Sequence, residues 1–161
     1  MNIWTRIKSL NINQLIQLSM LFLSRPFLII PTIRASKRTM MVCHELFGNN
    51  HNKSNKANAF RHAFWNILIC QKTLKKAKNK EKSIIWCKKV TDLYEKVTQN
   101  KNLDEAMDLH NNKIGRTYFL DIFDKKETEI IQLLKEKSQN AKKIAKIEEI
   151  EYYKHELVYL I

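Results

Sequence analysis

Residues 57–78 read ANAFRHAFWNILICQKTLKKAK, and the spacing of side chains within them decides the fold class. Phe60, Ala63, Phe64, Ile67, Gln71 and Leu74 recur at spacings of three and four, the period of one helix face. Asn58, His62 and Asn66 recur at i, i+4 and i+8 and stack a second, polar line along the same helix, with Arg61 and Trp65 beside it. Ser54 or Asn55 is placed to cap its start.

Working outward, helical spacing continues on both sides. Residues 83–97 set Trp86, Val90, Leu93 and Val97 on a core stripe, with Asp92 and Glu95 on a neighbouring face. After a polar break at 99–102, Leu103, Met107, His110 and Ile114 form a heptad-like row, which puts a histidine where an apolar residue is expected. Asp108 and Asn111 flank that histidine, and Gly115-Arg116 marks a bend or a close helix contact. Residues 125–160 read as one or two charged amphipathic helices, with Ile130, Ile131, Leu134, Ile144, Ile147, Ile150 and Leu157 inward. Residues 48–56, GNNHNKSNK, form the longest clear loop. Only two Gly and two Pro occur in 161 residues, so tight hairpins have almost no material. The expectation is a single all-α domain over 1–161, a compact multi-helix bundle with a buried polar cluster.

The most apolar stretch is residues 14–33, QLIQLSMLFLSRPFLIIPTI. Arg25 and Pro26 cut it into runs shorter than the roughly 20 residues of a spanning helix, and no Ala-x-Ala cleavage site follows. It reads as a buried core helix over about 11–24, a turn at Arg25-Pro26, and an apolar segment ending at Pro31. Arg34, Lys37 and Arg38 follow and suit anionic lipid, which keeps a membrane-surface role open.

Cys43, Cys70 and Cys87 are odd in number, widely spaced and set in apolar surroundings, as buried free thiols of a reducing, cytoplasmic compartment would be. No CxxC pair supports a thiolate zinc site. The formal charge of +13 suits an anionic small molecule, nucleic acid or an anionic membrane surface. Lys dominates it, however: only 6 of the 29 basic residues are Arg, and a composition rich in Lys, Asn and Ile follows equally from a coding bias.

Buried His, Asn, Asp and Arg are unfavourable unless each finds partners, so the polar lines imply either a closed hydrogen-bond network or a ligand site. His62, Glu95, Asp108 and His110 are ligand types for zinc or another divalent ion, projected inward as helical bundles do. His62 and His110 also suit a general base and acid, with Asp108 beside them and with Arg61 and Arg116 to hold an anionic group. No HExxH pair occurs. Two functions follow: a metal-assisted hydrolase acting on an anionic substrate, or a non-catalytic binding module whose polar network is structural and whose basic surface contacts nucleic acid or anionic lipid.

NAFRHAFWN at 58–66 and MDLHNNKIGR at 107–116 resemble the signature of an uncharacterised bacterial family, a domain of unknown function, in the form of its Flavobacterium-type members. The resemblance covers about residues 10–120, with LSRPF at 23–27 a less specific part, and leaves the C-terminal 40 outside. It implies a hydrolytic activity without naming one. It also implies a candidate site of Arg61, His62, Glu95, Asp108, His110 and Asn111, supported by Asn58, Asn66 and Asn112. The family pattern has Asp-x-His-Glu where this chain has Asp92-Leu93-Tyr94-Glu95, so Tyr94 stands in for a histidine; a tyrosine can also ligate or donate a proton.

Overall fold

A computed structural model describes residues 11–98 and 102–161, excluding the side chains of Leu18, Val97 and Thr98. The break expected at 99–102 and the core role of Val97 therefore fall largely outside the described residues. The helices are α1 (Ile12–Ser24), α2 (Pro26–Phe47), α3 (Lys56–Ala77), α4 (Lys80–Thr98), α5 (Asn102–Ile122) and α6 (Glu127–Gln139). A 3-10 turn at Gly48–Asn52 precedes α3, and a second at Ile147–Tyr152 lies between two minimal strands, β1 (Lys142–Lys143) and β2 (Val158–Tyr159). The all-helical bundle is as expected, with this short strand pair added to it among the described residues.

α3 is the axis of the bundle, and α2, α4, α5 and α6 all pack on it. Its run from Asn58 to Cys70 is buried on nearly every side, which is why an apolar face and a polar line coexist on one helix. Asn55 caps it, accepting from the Asn58 backbone N–H at 3.1 Å. Phe60 and Phe64 are fully buried, and burying each contributes roughly 2–3 kcal/mol. The indoles of Trp65 and Trp86 donate to Ser36 and Thr32 on α2, at 2.8 and 2.9 Å, so both aromatics are buried with their N–H groups satisfied.

Gly115 sets the distance between α3 and α5. A Cβ there would lie 2.5 Å from the Ala63 carbonyl oxygen and 2.7 Å from the Ala63 Cα, so the two helices meet backbone to backbone. The close-contact alternative for Gly115-Arg116 is the one realised.

Three expectations are corrected. α1 forms where expected but is not a buried core helix, because Ile12, Ile16, Met20 and Leu23 lie on its solvent side. Pro31 does not end a segment: α2 runs through it from Pro26 to Phe47. After Gln139 the chain forms no further α-helix; besides the 3-10 turn at Ile147–Tyr152, β1 and β2 pair in parallel, Lys142 with Val158 and Lys143 with Tyr159. Ile130, Leu134, Ile144 and Leu157 are buried as anticipated, whereas Ile147 is exposed. No single described helix is long and apolar enough to cross a membrane.

Candidate functional site

Each of three helices presents one polar line at i, i+4, i+8 toward a common interior. α3 contributes Asn58, His62 and Asn66; α4 contributes Cys87, Thr91 and Glu95; α5 contributes Asp108, Asn112 and Arg116. All nine are buried. Together they form two layers of polar groups.

The lower layer is organised by Asn66, which has no exposed surface. Its amide nitrogen donates to the His62 carbonyl at 2.9 Å and to Asn112 Oδ1 at 2.6 Å. Its Oδ1 accepts from Arg116 Nη1 at 2.9 Å, Cys87 Sγ at 3.1 Å and Thr91 Oγ1 at 3.3 Å. Arg116 also donates to Thr91 at 3.1 Å and lies 3.7 Å from Asp92, so its charge is spent inside the protein. Arg116, expected to hold an anionic group, is engaged here by partners inside the protein.

The upper layer brings together His62, Glu95 and Asp108. His62 Nδ1 lies 3.3 Å from Glu95 Oε1 and 3.1 Å from Asn112 Oδ1, and Nε2 lies 3.2 Å from Asp108 Oδ1. Arg61 Nη2 stands 2.7 Å from Nε2, and its Nη1 reaches Asn52 at 3.4 Å. With Nδ1 protonated, the ring donates toward Glu95 and Asn112 and accepts from Arg61. Asn112 links the layers, donating from Nδ2 to Glu95 Oε1 at 3.1 Å. One ligand atom from each of His62, Glu95 and Asp108 lies within 4.8 Å of the others, a spacing that can hold a metal ion. Burial alone would push the Glu95 carboxyl up, but the neighbouring His62, hydrogen bonds from His62 and Asn112, and Arg61 together hold it below the ordinary carboxylate value.

The structure does not bring His110 or Asn111 to this group. Two residues from Asp108 is about 200° around a helix, so His110 points elsewhere. Its Nε2 donates to the Glu156 carbonyl at 2.9 Å, and burial lowers its pKa despite that bond. Asn111 acts as a strand partner: its amide donates to the Val158 carbonyl at 2.8 Å and its Oδ1 accepts from the Val158 N–H at 2.9 Å. Both residues dock the C-terminal segment. Asn58 continues the α3 line, and its Oδ1 has no hydrogen-bond partner among the described residues. Tyr94 packs edge-on against Trp65, with ring centroids 5.2 Å apart.

From sequence Cys87 reads only as a buried free thiol and Thr91 has no role, so their place in the polar line is not seen there. Their signal was the i, i+4 spacing to Glu95, hidden because the apolar stripe through Trp86 and Val90 was the more obvious pattern. The thiols are all free and buried, and burial pushes Cys43 up to about 12.

No curated protein and no solved structure matches the chain. Residues 19–142 match a family described as a domain of unknown function, DUF6973. That span contains all three polar lines and α6, begins later than the expected residue 10, and runs past residue 120 to the first strand. The segment docked by His110 and Asn111 falls beyond it. By a match covering most of its length, the chain belongs to the DUF6973 family.

Proposed function

We propose that the upper layer is a divalent-cation site, zinc or another ion, and that the protein is a metal-assisted hydrolase acting on an anionic substrate. The observation that carries this reading is the buried convergence of His62, Glu95 and Asp108 from three different helices. Two carboxylates and a neutral imidazole balance a doubly charged ion, and they are donor types that zinc accepts. One carboxylate stands beside each ring nitrogen, so the imidazole can offer an ion one lone pair while the opposite N–H is held by the other carboxylate. Arg61, half-buried, stands on the Nε2 side, and an ion taking Nε2 would have to displace its guanidinium. An ion held there would acidify a bound water toward neutral pH, and Arg61 would be placed to hold a negatively charged substrate group. The buried free thiols support a cytoplasmic protein.

A second reading, a non-catalytic binding module with a structural network, is favoured by one contact. The Arg61 guanidinium already puts a positive charge 2.7 Å from Nε2, where the ion would bind. On that reading the basic surface does the binding, to nucleic acid or anionic lipid.

The test is metal content after purification without chelators, followed by a screen of phosphoester and other anionic ester substrates. The hydrolase reading expects close to one ion per chain, lost in Asp108→Asn, and turnover that disappears with it. Metal-free protein that regains no ion on dialysis, with an intact fold, supports the structural network instead.

A further inference from the structure

α1 is built the wrong way round for a helix facing water. It contains no charged residue. Phe22 turns inward against Trp86, with ring centroids 6.2 Å apart. Ile12, Ile16, Met20 and Leu23, an apolar line on one arc, are 69, 49, 66 and 76 % exposed. Phe27, 80 % exposed, carries the surface into α2. An ordinary surface helix places its polar arc there, and contiguous apolar patches of this kind mark interaction surfaces.

Beside this surface, at the corner where α1 meets α2, is a cleft of about 560 Å³. Arg25, Lys76, Lys78, Lys82 and Lys89 line it over an apolar floor that includes Trp86, and no carboxylate is among the lining residues. α1 and the helix that follows it bend by 116°, so they do not form one straight span.

We propose that this corner docks the protein on the surface of an anionic bilayer, with α1 lying in the interface and the cationic cleft receiving a lipid headgroup phosphate. Apolar side chains in the acyl boundary flanked by cations at headgroup level are what an interfacial helix uses. Charge complementarity selects this occupant over a second copy: a two-fold contact across α1 would bring one cationic cleft toward its duplicate. The cations differ from those expected from sequence. Arg38 is held by Glu127 at 2.7 Å, and Arg34 and Lys37 are not among the lining residues of the cleft. The inference is independent of the polar core.

The experiment is co-sedimentation of the full chain with phosphatidylcholine vesicles containing 30 mol % phosphatidylserine, against phosphatidylcholine alone, at two salt concentrations. The wild type is expected to partition at least tenfold more strongly to the anionic vesicles, with salt weakening it. Lys76→Gln with Lys82→Gln and Lys89→Gln should remove most of that preference. Leu23→Ser with Phe27→Ser should cut binding to anionic vesicles more than tenfold; both side chains are exposed, so the melting temperature should hold. Equal binding to neutral vesicles, or binding unchanged in the lysine variant, overturns the proposal. So does a wild type that ignores both vesicles but forms a dimer that Leu23→Ser with Phe27→Ser dissociates.

Discussion

The two layers of the polar core use the same three helices and similar residue types, yet they differ in how their groups are matched. Below, Asn66, Thr91, Cys87 and Arg116 are donors and acceptors around one amide, and the Arg116 guanidinium is matched through Nη1 to Asn66, Thr91 and, at 3.7 Å, Asp92. Above, two carboxylates crowd one imidazole, and the balancing cation comes from Arg61, a half-buried side chain also tied to the turn before α3. A matched layer holds helices in register; a layer with crowded carboxylates is prepared for a cation. The difference separates packing from chemistry among residues that look alike in sequence.

The largest expected effect breaks the lower layer. Asn66→Leu removes both lone pairs that Arg116 and Thr91 use and leaves a buried guanidinium poorly compensated, at a cost of about 3–5 kcal/mol. Urea denaturation at neutral pH measures it, and a loss under 1 kcal/mol would show that the layer is not what holds the helices.

Acid should act elsewhere, because the lower layer contains no histidine. Burial, then Arg61 and His44, lower His51 to about 4 from its ordinary value near 6.5. The unfolded chain therefore takes up this proton first, and the associated stability is complete above about pH 6.5 and is lost as pH falls toward 4. The loss should reach roughly 2–3 kcal/mol. Denaturation midpoints measured from pH 7.5 to 4 check it, and His51→Gln should flatten the profile.

Gly115→Ala pushes α5 away from Ala63 and disturbs both layers together, costing about 1–3 kcal/mol. A neutral result, read from the thermal melt, would mean that the helix spacing is softer than the backbone contact implies. The smallest effect should come from Asp108→Asn without added metal. Removing one of two neighbouring carboxylates relieves their repulsion while preserving shape, so stability should stay within about 1 kcal/mol of wild type. The contrast with Asn66→Leu, in the same buried core, is the sharpest form of the comparison.

Much of this was legible from side-chain spacing. The α3 polar line was visible because i, i+4, i+8 is a local pattern, and His62, Glu95 and Asp108 were all named from it and its neighbours. Residue spacing could not place His110, because a polar side chain on an apolar row can satisfy itself with a distant carbonyl, here that of Glu156. It also gave no sign that residues after Gln139 leave the helix: they are held by the Asn111 side chain and by backbone bonds from Leu160 and Ile161 to Ser54, all far apart in sequence. α1 shows the opposite limit, since an apolar run reads the same whether it faces the core or the outside.

The central claim is tested most directly by titrating zinc, manganese, magnesium and calcium into metal-free protein while following the thermal melt of the wild type, Asp108→Asn and His110→Ala. One ion at a hundred times its dissociation constant adds about 2.7 kcal/mol, which for a chain of this size is roughly 5–10 °C. The upper-layer site predicts that rise for at least one ion in the wild type and in His110→Ala, and its loss in Asp108→Asn. No rise with any of the four ions, or the same rise in Asp108→Asn, would contradict it and leave Arg61 as the cation for which the two carboxylates were assembled.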